Sequence, residues 1–409
     1  MVIIMGVENS KKIDSILVFE YYTASGINDP EIISEAVGLT ESLLNDLSHF
    51  TANDSPNIHF LVSKDFSDIG DNHGFSENAK NKIIIDVSLE NWLKNNANNF
   101  DGCIFISAEE NMNIHNLTKL LEDNGVKIYG SDSNSTLLCS NKYSTFKHLK
   151  GIVNQPKTFK FTISDENQWE ESIKNILESF ENENLNIENN LSNKNEFSKN
   201  DFSTNDFKLI VKPLYGVDCQ DMIIISNEKD MAKISEIYPK NSEILVQEFV
   251  FGENLSVSLI SDGKIAIPLT LNKQYIDITK ENQQYLGGEL PFNHPLKEDI
   301  FEIAKKVVES IEGVKGFVGV DLILNSSDGM YNIYFLEINS RFTTPYVGIS
   351  KISEINIGKT IIELLDKKIT IDSIYDNIVA NFYSNKDNNK NNSYVKFRKK
   401  GNDLDIEVL

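Results

Sequence analysis

The stretch FLEINSRFTTPYVG, residues 335–348, places an acid, an amide and a guanidinium at every second position: Glu337, Asn339 and Arg341. Residues two apart in a strand point to the same face, so these three side chains are predicted to share one. Carboxylate and amide oxygens are ligands that Mg²⁺ accepts, and a guanidinium binds phosphate or carboxylate oxygens. The stretch therefore predicts a strand face that binds metal and phosphate.

A further acidic residue is predicted to face this set across a hairpin. The segments VGVDLIL and YNIYFLEIN flank an Asp-Gly turn signal, and a turn centred near Gly329 would put Asp321 opposite Glu337. Strict alternation would also place Ile333 and Phe335 on the same face as Glu337. Two facing carboxylates among apolar neighbours repel each other and lose hydration, a conflict that a divalent cation relieves. The alternative is an ordinary solvated hairpin face.

Two lysines occupy positions from which they could reach phosphate. Lys212 ends the strand FKLIVK and precedes the turn-prone loop PLYGVDCQDM, and Lys142 opens a helix after CSN. The alternative for each is a solvated surface lysine. The strand-like segment QEFV, residues 247–250, could offer backbone groups to an adenine edge or could be a plain core strand. No convincing Ser/His/Asp or Cys/His set accompanies these residues.

The chain before Gly130 alternates between strand and helix patterns. The segments IDSILVF, NIHFLV, KIIIDV, DGCIFIS and VKIYG are predicted to be strands, separated by helical segments such as EIISEAVGLTESLLNDL. This alternation predicts a small open α/β domain over residues 1–135. The domain lacks a GxGxxG loop, so a dinucleotide site is unsupported.

The rest of the chain is predicted to form a second unit, residues 136–365, and a C-terminal appendage, residues 366–409. Within the second unit, residues 181–206 are rich in Asn, Glu and Ser and poor in apolar residues. Such a composition does not offset its own ordering entropy, so a disordered surface insertion is predicted. The final segment, YVKFRKKGNDLDIEVL, is predicted to close as one more hairpin.

The composition limits the partners that the protein can have. A net charge of −22 repels nucleic acid and anionic membranes, and no apolar run approaches the ~18 residues of a membrane helix. Three widely spaced cysteines, Cys103, Cys139 and Cys219, indicate neither a disulfide framework nor a zinc site. We expect a cytoplasmic protein that binds small molecules and neither nucleic acid nor membrane, with a homodimer left open.

The order of these segments resembles the ATP-grasp family over roughly residues 136–365, and the preceding α/β unit is similar to that family's N-terminal partner (pre-ATP-grasp) domain. The resemblance implies an α/β protein with the ATP-grasp fold that binds ATP with Mg²⁺ or Mn²⁺. Position by position, it implies that Lys142 and Lys212 contact the ATP phosphates and that Asp321, Glu337 and Asn339 hold the metal. It implies that Gln247, Glu248, Phe249 and Val250 contact adenine, chiefly through the backbone of Glu248 and Val250, and that Glu253 contacts ribose. It also implies that Arg341 contacts the transferred phosphoryl group or acyl phosphate and acts with Lys212 in catalysis.

One departure concerns the loop after Lys212, which has a single glycine, Gly216, where many family members have several. Its contact with phosphate is therefore less secure, and Cys219 in that loop is predicted to be a small packed residue. Family members mostly activate a carboxylate as an acyl phosphate, which an amine then attacks. No protein nucleophile is needed for that reaction, in agreement with the absence of a triad motif.

Three local segments resemble one branch of the family, which joins the γ-carboxylate of glutamate to tyramine in the methanofuran biosynthesis of methanogens. They are ILVFEYYTASG (16–26), LGGELPFNHPL (286–296) and EINSRFTTPYVG (337–348). The resemblance implies glutamate and an aromatic amine such as tyramine as substrates. Candidate substrate residues are Tyr22, Ser25 and Gly26 at a strand's carboxyl end, with a polar turn as the alternative, and Gly287 and Gly288, with a simple turn as the alternative.

Other functions remain open at this point. The same fold supports ligases for another amine or amino acid, including dipeptide or carbamoyl-phosphate-type enzymes. A phosphotransferase that passes the γ-phosphoryl group to a hydroxyl is a second class. A non-catalytic nucleotide-binding protein is a third, but the intact set Asp321, Glu337, Asn339 and Arg341 argues against it.

Overall fold

A computed structural model describes residues 13–30, 32–50, 56–75, 81–164, 168–191, 208–216, 221–279, 283–327, 330–378, 394–400 and 403–409. These ranges form a five-stranded parallel sheet, a four-stranded antiparallel sheet and a seven-stranded antiparallel sheet. None of the helices within them combines the length and the apolar character that crossing a membrane requires. The mixture of parallel and antiparallel sheets with helices confirms the predicted α/β class.

The parallel sheet, with strand order β3-β2-β1-β4-β5, confirms the predicted open α/β domain. Consecutive residues Ile16, Leu17 and Val18 are all buried, because core clusters cover both faces of this sheet. The strand order reverses between β1 and β4, and ligands bind beside the carboxyl ends of strands at such a point. The elements are β1 (Ser15–Glu20), α1 (Tyr21–Ser25), α2 (Ile33–Ser48), β2 (Asn57–Ser63), β3 (Lys82–Ile85), α3 (Leu89–Asn96), β4 (Gly102–Ile106), α4 (Asn113–Asp123) and β5 (Lys127–Ile128).

The four-stranded sheet has the order β6-β9-β7-β8. Trp169, Ile173 and Leu177 are spaced as one face of a helix and are buried against Val211 and Val246 of the sheet. Two helices join this unit to the N-terminal domain, and the second of them begins at Lys142, as predicted. The elements are α5 (Ser133–Ser140), α6 (Lys142–His148), β6 (Thr158–Thr162), α7 (Gln168–Leu191), β7 (Leu209–Pro213), β8 (Ile223–Ile225), α8 (Ala232–Ile237) and β9 (Glu243–Glu248).

The insertion that the sequence predicts to be disordered, residues 181–206, begins inside a helix. Helix α7 continues through residues 181–191. An established helix gains one hydrogen bond for each added residue, so it extends into a polar segment that would not nucleate a helix alone. Residues 192–206 lie outside the described residues, and so does Cys219.

The seven-stranded sheet has the order β14-β13-β10-β11-β12-β15-β16. Ile300, Ala304 and Val307 of helix α9 are buried against one face, as their helical spacing predicts. The opposite face carries the polar residues described in the next section. The elements are β10 (Glu253–Asp262), β11 (Ala266–Ile278), β12 (Gln283–Leu290), α9 (Lys297–Glu309), β13 (Lys315–Ser327), β14 (Met330–Asn339), α10 (Pro345–Ile352), α11 (Ile357–Leu365), α12 (Ile371–Ile378), β15 (Val395–Lys400) and β16 (Asp403–Val408).

The C-terminal segment forms the hairpin β15–β16, which confirms the predicted pairing. This hairpin also pairs with β12, with Leu290 opposite Val395, so it extends the central sheet. The segment predicted as an appendage, residues 366–409, is thus integrated into the second unit in its described part.

The N-terminal domain and the second unit share one hydrophobic core. Leu43 and Leu44 of α2 belong to the same buried cluster as Ile361 of α11 and Phe397 of β15. A continuous apolar interface is costly to separate, so this shared core fixes the position of the parallel sheet relative to the seven-stranded antiparallel sheet. The carboxyl edge of the parallel sheet is consequently positioned beside the hairpin β13–β14.

Candidate active site

Asp321 of β13 and Glu337 of β14 are direct partners in the antiparallel hairpin, which confirms the predicted register. The pairing shifts by one residue next to them, so Leu336 is an extra residue of a β-bulge. Because of this bulge, Ile333 and Phe335 lie in the core beneath the sheet, whereas Leu336 lines a cavity together with Glu337. The prediction that Ile333 and Phe335 share the face of Glu337 is therefore wrong, since one inserted residue reverses the alternation.

The carboxylate of Asp321 lies opposite a second carboxylate, that of Glu337. Its Oδ1 accepts a hydrogen bond from Gln274 Nε2 at 3.0 Å and its Oδ2 accepts one from Asn339 Nδ2 at 2.9 Å. Burial, with a further contribution from the negative charge of Glu337, nevertheless raises the pKa of Asp321 to about 7. A cation bound beside Asp321 would favour its ionised form and lower this pKa.

Glu337 has the opposite electrostatic environment. Its Oε2 lies 3.2 Å from the Lys142 ammonium. Burial alone would raise the pKa of Glu337, but the charges of Lys142 and Lys212 outweigh that effect and hold the pKa below its ordinary value. Lys142 also donates a hydrogen bond to the carbonyl of Gly216 at 2.7 Å, which ties it to the start of the loop after Lys212.

Arg341 is held from the N-terminal domain by Glu109, a residue that the sequence did not single out. Arg341 Nε donates to Glu109 Oε2 at 2.7 Å, and Arg341 Nη1 donates to the Phe342 carbonyl at 3.1 Å. Glu109 follows β4 at the carboxyl edge of the parallel sheet. The signal that could have identified it is the acidic pair at 109–110 directly after a buried strand, where open α/β sheets bind ligands.

A polar cavity of about 950 Å³ lies over this hairpin face. It brings Asp321, Glu337, Asn339 and Arg341 together with Lys212, as the sequence predicts. Lys212 Nζ donates to Gln247 Oε1 at 2.9 Å, which directs the ammonium toward the strand that borders a second cavity. The polar cavity therefore combines two carboxylates with cationic side chains, an arrangement suited to a metal-bound polyphosphate.

The second cavity, of about 860 Å³, is mostly apolar and adjoins the first, because Lys212, Met222, Ile276 and Leu336 line both. Among the predicted adenine contacts, Gln247, Phe249 and Val250 line it. An apolar cavity of this kind suits a nucleobase.

Two residues that are predicted to contact the nucleotide, Glu248 and Glu253, are not among those that line the apolar cavity. The N–H of Glu248 donates to the Lys157 carbonyl at 2.8 Å, so that group belongs to the sheet. Glu253 lies with its carboxylate 3.4 Å from the Lys273 ammonium, while its neighbour Asn254 lines the apolar cavity. Alternate residues of a strand point to opposite faces, so Asn254 rather than Glu253 faces this cavity, and contact of Glu253 with ribose stays a prediction.

The candidate substrate residues after β1 separate into two groups. Tyr22 is 5% exposed and lines a third cavity beside Arg341. Ser25 ends helix α1, and Gly26 follows it in the left-handed conformation, with φ of 72°, packed beside Ser63 and Asp65. Gly26 is thereby explained by chain reversal, which requires glycine there.

Gly287 and Gly288 lie where strands of the central sheet approach closely. A Cβ at Gly287 would lie 2.1 Å from the Phe397 carbonyl oxygen, and one at Gly288 would lie 2.3 Å from the Lys273 carbonyl oxygen. Only glycine fits at such distances, so packing of the sheet accounts for both residues. Contact with substrate at these positions stays a prediction.

The donor set fits a dication shared with a nucleotide. Among the described residues, no group of three or more His, Cys, Asp and Glu side chains is arranged to hold a metal. Mg²⁺ usually binds one or two carboxylates of the protein, keeps several waters and takes phosphate oxygens from the substrate. The facing carboxylates of Asp321 and Glu337 and the amide oxygen of Asn339 match that requirement, and a bound cation would relieve their repulsion.

The N-terminal domain is built on a parallel sheet, and two antiparallel sheets follow it. Lysines, paired acids and an arginine lie between these units, and this combination is characteristic of the class of ATP-grasp proteins. A family model described as ATP-grasp domain matches residues 139–345, and the chain belongs to this family. The predicted fold and the assignment as a ligase are confirmed.

Similar proteins extend the match beyond that domain. The chain is 30% identical over 401 residues to a tyramine–L-glutamate ligase of Methanocaldococcus jannaschii, covering 97% of this chain and 95% of that protein. It is 33% identical to a tyramine–L-glutamate ligase of Methanocaldococcus fervens, covering 82% of this chain and 89% of that one. Among solved structures, an ATP-grasp superfamily protein from Archaeoglobus fulgidus aligns with a TM-score of 0.61 at 20% identity, over 97% of this chain and 99% of that one, and this shows the shared fold.

Proposed function

We propose that the protein is an ATP-dependent ligase that joins the γ-carboxylate of glutamate to the amine of tyramine, within methanofuran biosynthesis, and releases ADP and phosphate. The observation that carries the chemistry is the Asp321–Glu337 pair, which lines the polar cavity beside Leu336, a residue that also lines the apolar cavity. The choice of substrates is supported by the two tyramine–L-glutamate ligases, whose similarity extends along 82% and 97% of this chain.

In this proposal the nucleotide lies across the two adjoining cavities. Its base occupies the apolar cavity beside Phe249 and Val250, and its phosphates pass Lys212 toward the hairpin. Lys142 and Lys212 supply positive charge to the phosphates, because both lie close enough to Glu337 to lower its pKa. Asp321, Glu337 and Asn339 would hold Mg²⁺ or Mn²⁺, which when bound neutralises the charge that develops on the γ-phosphate.

The reaction then proceeds in two balanced steps. A γ-carboxylate oxygen of glutamate attacks the γ-phosphorus, and the bond from that phosphorus to ADP breaks, which gives an acyl phosphate and ADP. The deprotonated amine of tyramine attacks the acyl carbon, and the carbon–oxygen bond to phosphate breaks as the nitrogen loses a proton. Arg341 stabilises negative charge on the transferred group, since Glu109 fixes its orientation.

The proposal is tested by incubating the full chain with MgATP, glutamate and a panel of amines. Mass spectrometry should detect the γ-glutamyl amide of tyramine, and phosphate release should require both glutamate and an amine. Phosphate transfer to a hydroxyl, or phosphate release that is indifferent to the amine, would contradict the proposed ligase. Omission of the carboxylate substrate is the matched control.

A further inference from the structure

The N-terminal domain contributes a cavity that lies next to the proposed reaction centre. Glu35 and Arg341 line both this cavity and the polar one. These two side chains therefore mark the junction through which a molecule in the N-terminal cavity would reach the acyl phosphate.

The walls of this N-terminal cavity are mainly aliphatic. Ile32, Ala36 and Leu39 come from helix α2 and the residue before it, and Ile106 ends β4. Ala36 and Leu39 are only 3% and 4% exposed, so this wall is part of the packed domain. Such a surface suits an aromatic ring.

Glu35 supplies the negative charge that faces the cavity. Glu20 also lines it, but burial raises the pKa of Glu20 to about 7 and its carboxyl oxygens accept hydrogen bonds from backbone N–H groups at the start of helix α1, so Glu20 adds little charge. Arg341 supplies a positive charge, but Glu109 already pairs with it at 2.7 Å. A substrate carboxylate would therefore meet net repulsion, whereas an ammonium group would be attracted.

We infer that this cavity is the subsite for the acceptor amine, in which Glu35 holds the ammonium group and the aliphatic wall holds an aryl group, so that an arylalkylamine without a carboxylate is selected. This inference rests on the proposed function. The nitrogen must approach the acyl carbon near Arg341, so the ammonium lies at the junction and the ring lies against Ala36 and Leu39. Thr344 Oγ1 donates a hydrogen bond to Glu35 Oε1, which orients the carboxylate.

The proposed subsite predicts discrimination between tyramine and tyrosine. The two molecules differ by one carboxylate, which tyrosine would have to bring beside Glu35. A like charge placed in a partly buried site is unfavourable, so selectivity arises from repulsion as well as from attraction.

The test measures binding directly by calorimetry, on the full chain with Mg²⁺, glutamate and a non-hydrolysable ATP analogue. Tyramine should bind at least about tenfold more tightly than tyrosine, and Glu35→Gln should weaken tyramine binding by about tenfold or more and narrow that preference. Ala36→Leu should weaken binding of tyramine but leave binding of methylamine, which needs no aryl space, unchanged. Glu41→Gln removes the same charge from the same helix outside the cavity and should behave like the wild type.

Each outcome decides for or against the subsite. Unchanged tyramine affinity in both Glu35→Gln and Ala36→Leu, or no tyramine binding by the wild type, overturns it; retained affinity for the ATP analogue shows that the variants are folded. Amide formation, followed separately with ATP, reports on the proposed function. If tyramine binding depends on Glu35 but no amide forms, the subsite is supported and the proposed ligase substrates are rejected. If the amide forms but the variants bind tyramine as tightly as the wild type, the proposed function is supported and the subsite is rejected.

Discussion

Glu109 and Arg341 are separated by 232 positions in the chain, yet Arg341 Nε donates a hydrogen bond to Glu109 Oε2 at 2.7 Å. Their side chains are 6% and 14% exposed. Glu109 follows β4 in the N-terminal domain, and Arg341 follows β14 in the central sheet. Through this ion pair, the N-terminal domain fixes the position of an arginine of the second unit, at the point where the proposed reaction occurs.

Replacing Glu109 is expected to impair both stability and turnover. Glu109→Ala leaves a nearly buried guanidinium without its carboxylate, so we expect the free energy of unfolding to fall by about 3 kcal/mol. The value of kcat should fall while the KM for ATP changes little, because Arg341 is proposed to act on the transferred group. Glu109→Gln keeps an acceptor oxygen and should have a smaller effect. Denaturation and steady-state kinetics of both variants, with the exposed Glu90→Ala as control, would measure this; wild-type kcat in Glu109→Ala would contradict it.

Glu337→Gln is expected to abolish most turnover without unfolding the protein. The change removes a proposed metal ligand, but Gln keeps an acceptor oxygen for the Lys142 ammonium, and the lost attraction to the lysines is partly offset by the lost repulsion of Asp321, so the fold should stay intact. A decrease in kcat of about a hundredfold or more is expected, similar to the loss of a group that stabilises transition-state charge. Kinetics at saturating Mg²⁺ are the measurement, and Glu302→Gln on the exposed face of α9 is the control. Normal turnover would reject the proposed metal site.

The raised pKa of Asp321 predicts a dependence of stability on pH. The pKa rises from an ordinary value of 3.8 to about 7 in the folded protein, so the folded state favours the protonated form. Its stabilising contribution is present below about pH 4 and is lost as the pH rises through about 7. Asn cannot titrate, so the change in unfolding temperature caused by Asp321→Asn in metal-free protein should be more favourable at pH 8 than at pH 5. Thermal denaturation at both pH values tests this, and a change that is more favourable at pH 5 would refute it.

Filling the apolar cavity should weaken nucleotide binding selectively. Ile276 lines both the apolar and the polar cavity, and its neighbour Tyr275 is 39% exposed and lies on the other face of β11. Ile276→Trp is expected to raise the KM for ATP by about tenfold or more, whereas Tyr275→Trp should leave it unchanged. Binding of a fluorescent ATP analogue to the two variants makes the comparison. Equal affinities would show that the base lies elsewhere.

Much of this site was predictable because its residues belong to strands with a clear period. The register that pairs Asp321 with Glu337 follows from a turn signal and from hydrophobic alternation, and both act over short distances. The bulge at Leu336 was not predictable, because its energy depends on side chains packed from other elements. One extra residue was enough to move Phe335 from the predicted site face into the core.

Contacts between domains were the least accessible to prediction. The acidic pair after β4 indicates that Glu109 lies at a ligand-binding edge, but no local motif shows that Glu109 or Glu35 lies beside Arg341. Their positions depend on how the parallel sheet packs against the central sheet, which is decided by the shared core around Leu43 and Ile361. A single sequence specifies such packing only through the sum of many long-range contacts. A turn at Gly26 was predictable from the sequence, but the short helix α1 that ends there was not.

The hydrogen bond from Tyr346 to Asp46 provides a test of how tightly the domains are joined. Tyr346 is fully buried, and its hydroxyl donates to Asp46 Oδ2 at 2.7 Å, while the Gly358 N–H donates to the same oxygen at 2.9 Å. Burial raises the pKa of Asp46 to about 6, and both hydrogen bonds oppose that rise. Tyr346→Phe should therefore raise this pKa further and lower the free energy of unfolding by about 2 kcal/mol at pH 8, where the carboxylate is ionised.

The loss in Tyr346→Phe should be smaller at pH 5, because a protonated Asp46 needs less compensation for its burial. Thermal denaturation at the two pH values measures the effect. Tyr331→Phe, at a tyrosine that is 57% exposed, removes the same hydroxyl from the surface and serves as the control. A loss that is equal at both pH values would mean that Asp46 does not titrate in this range, and an unchanged unfolding temperature would mean that the two domains do not depend on this bond.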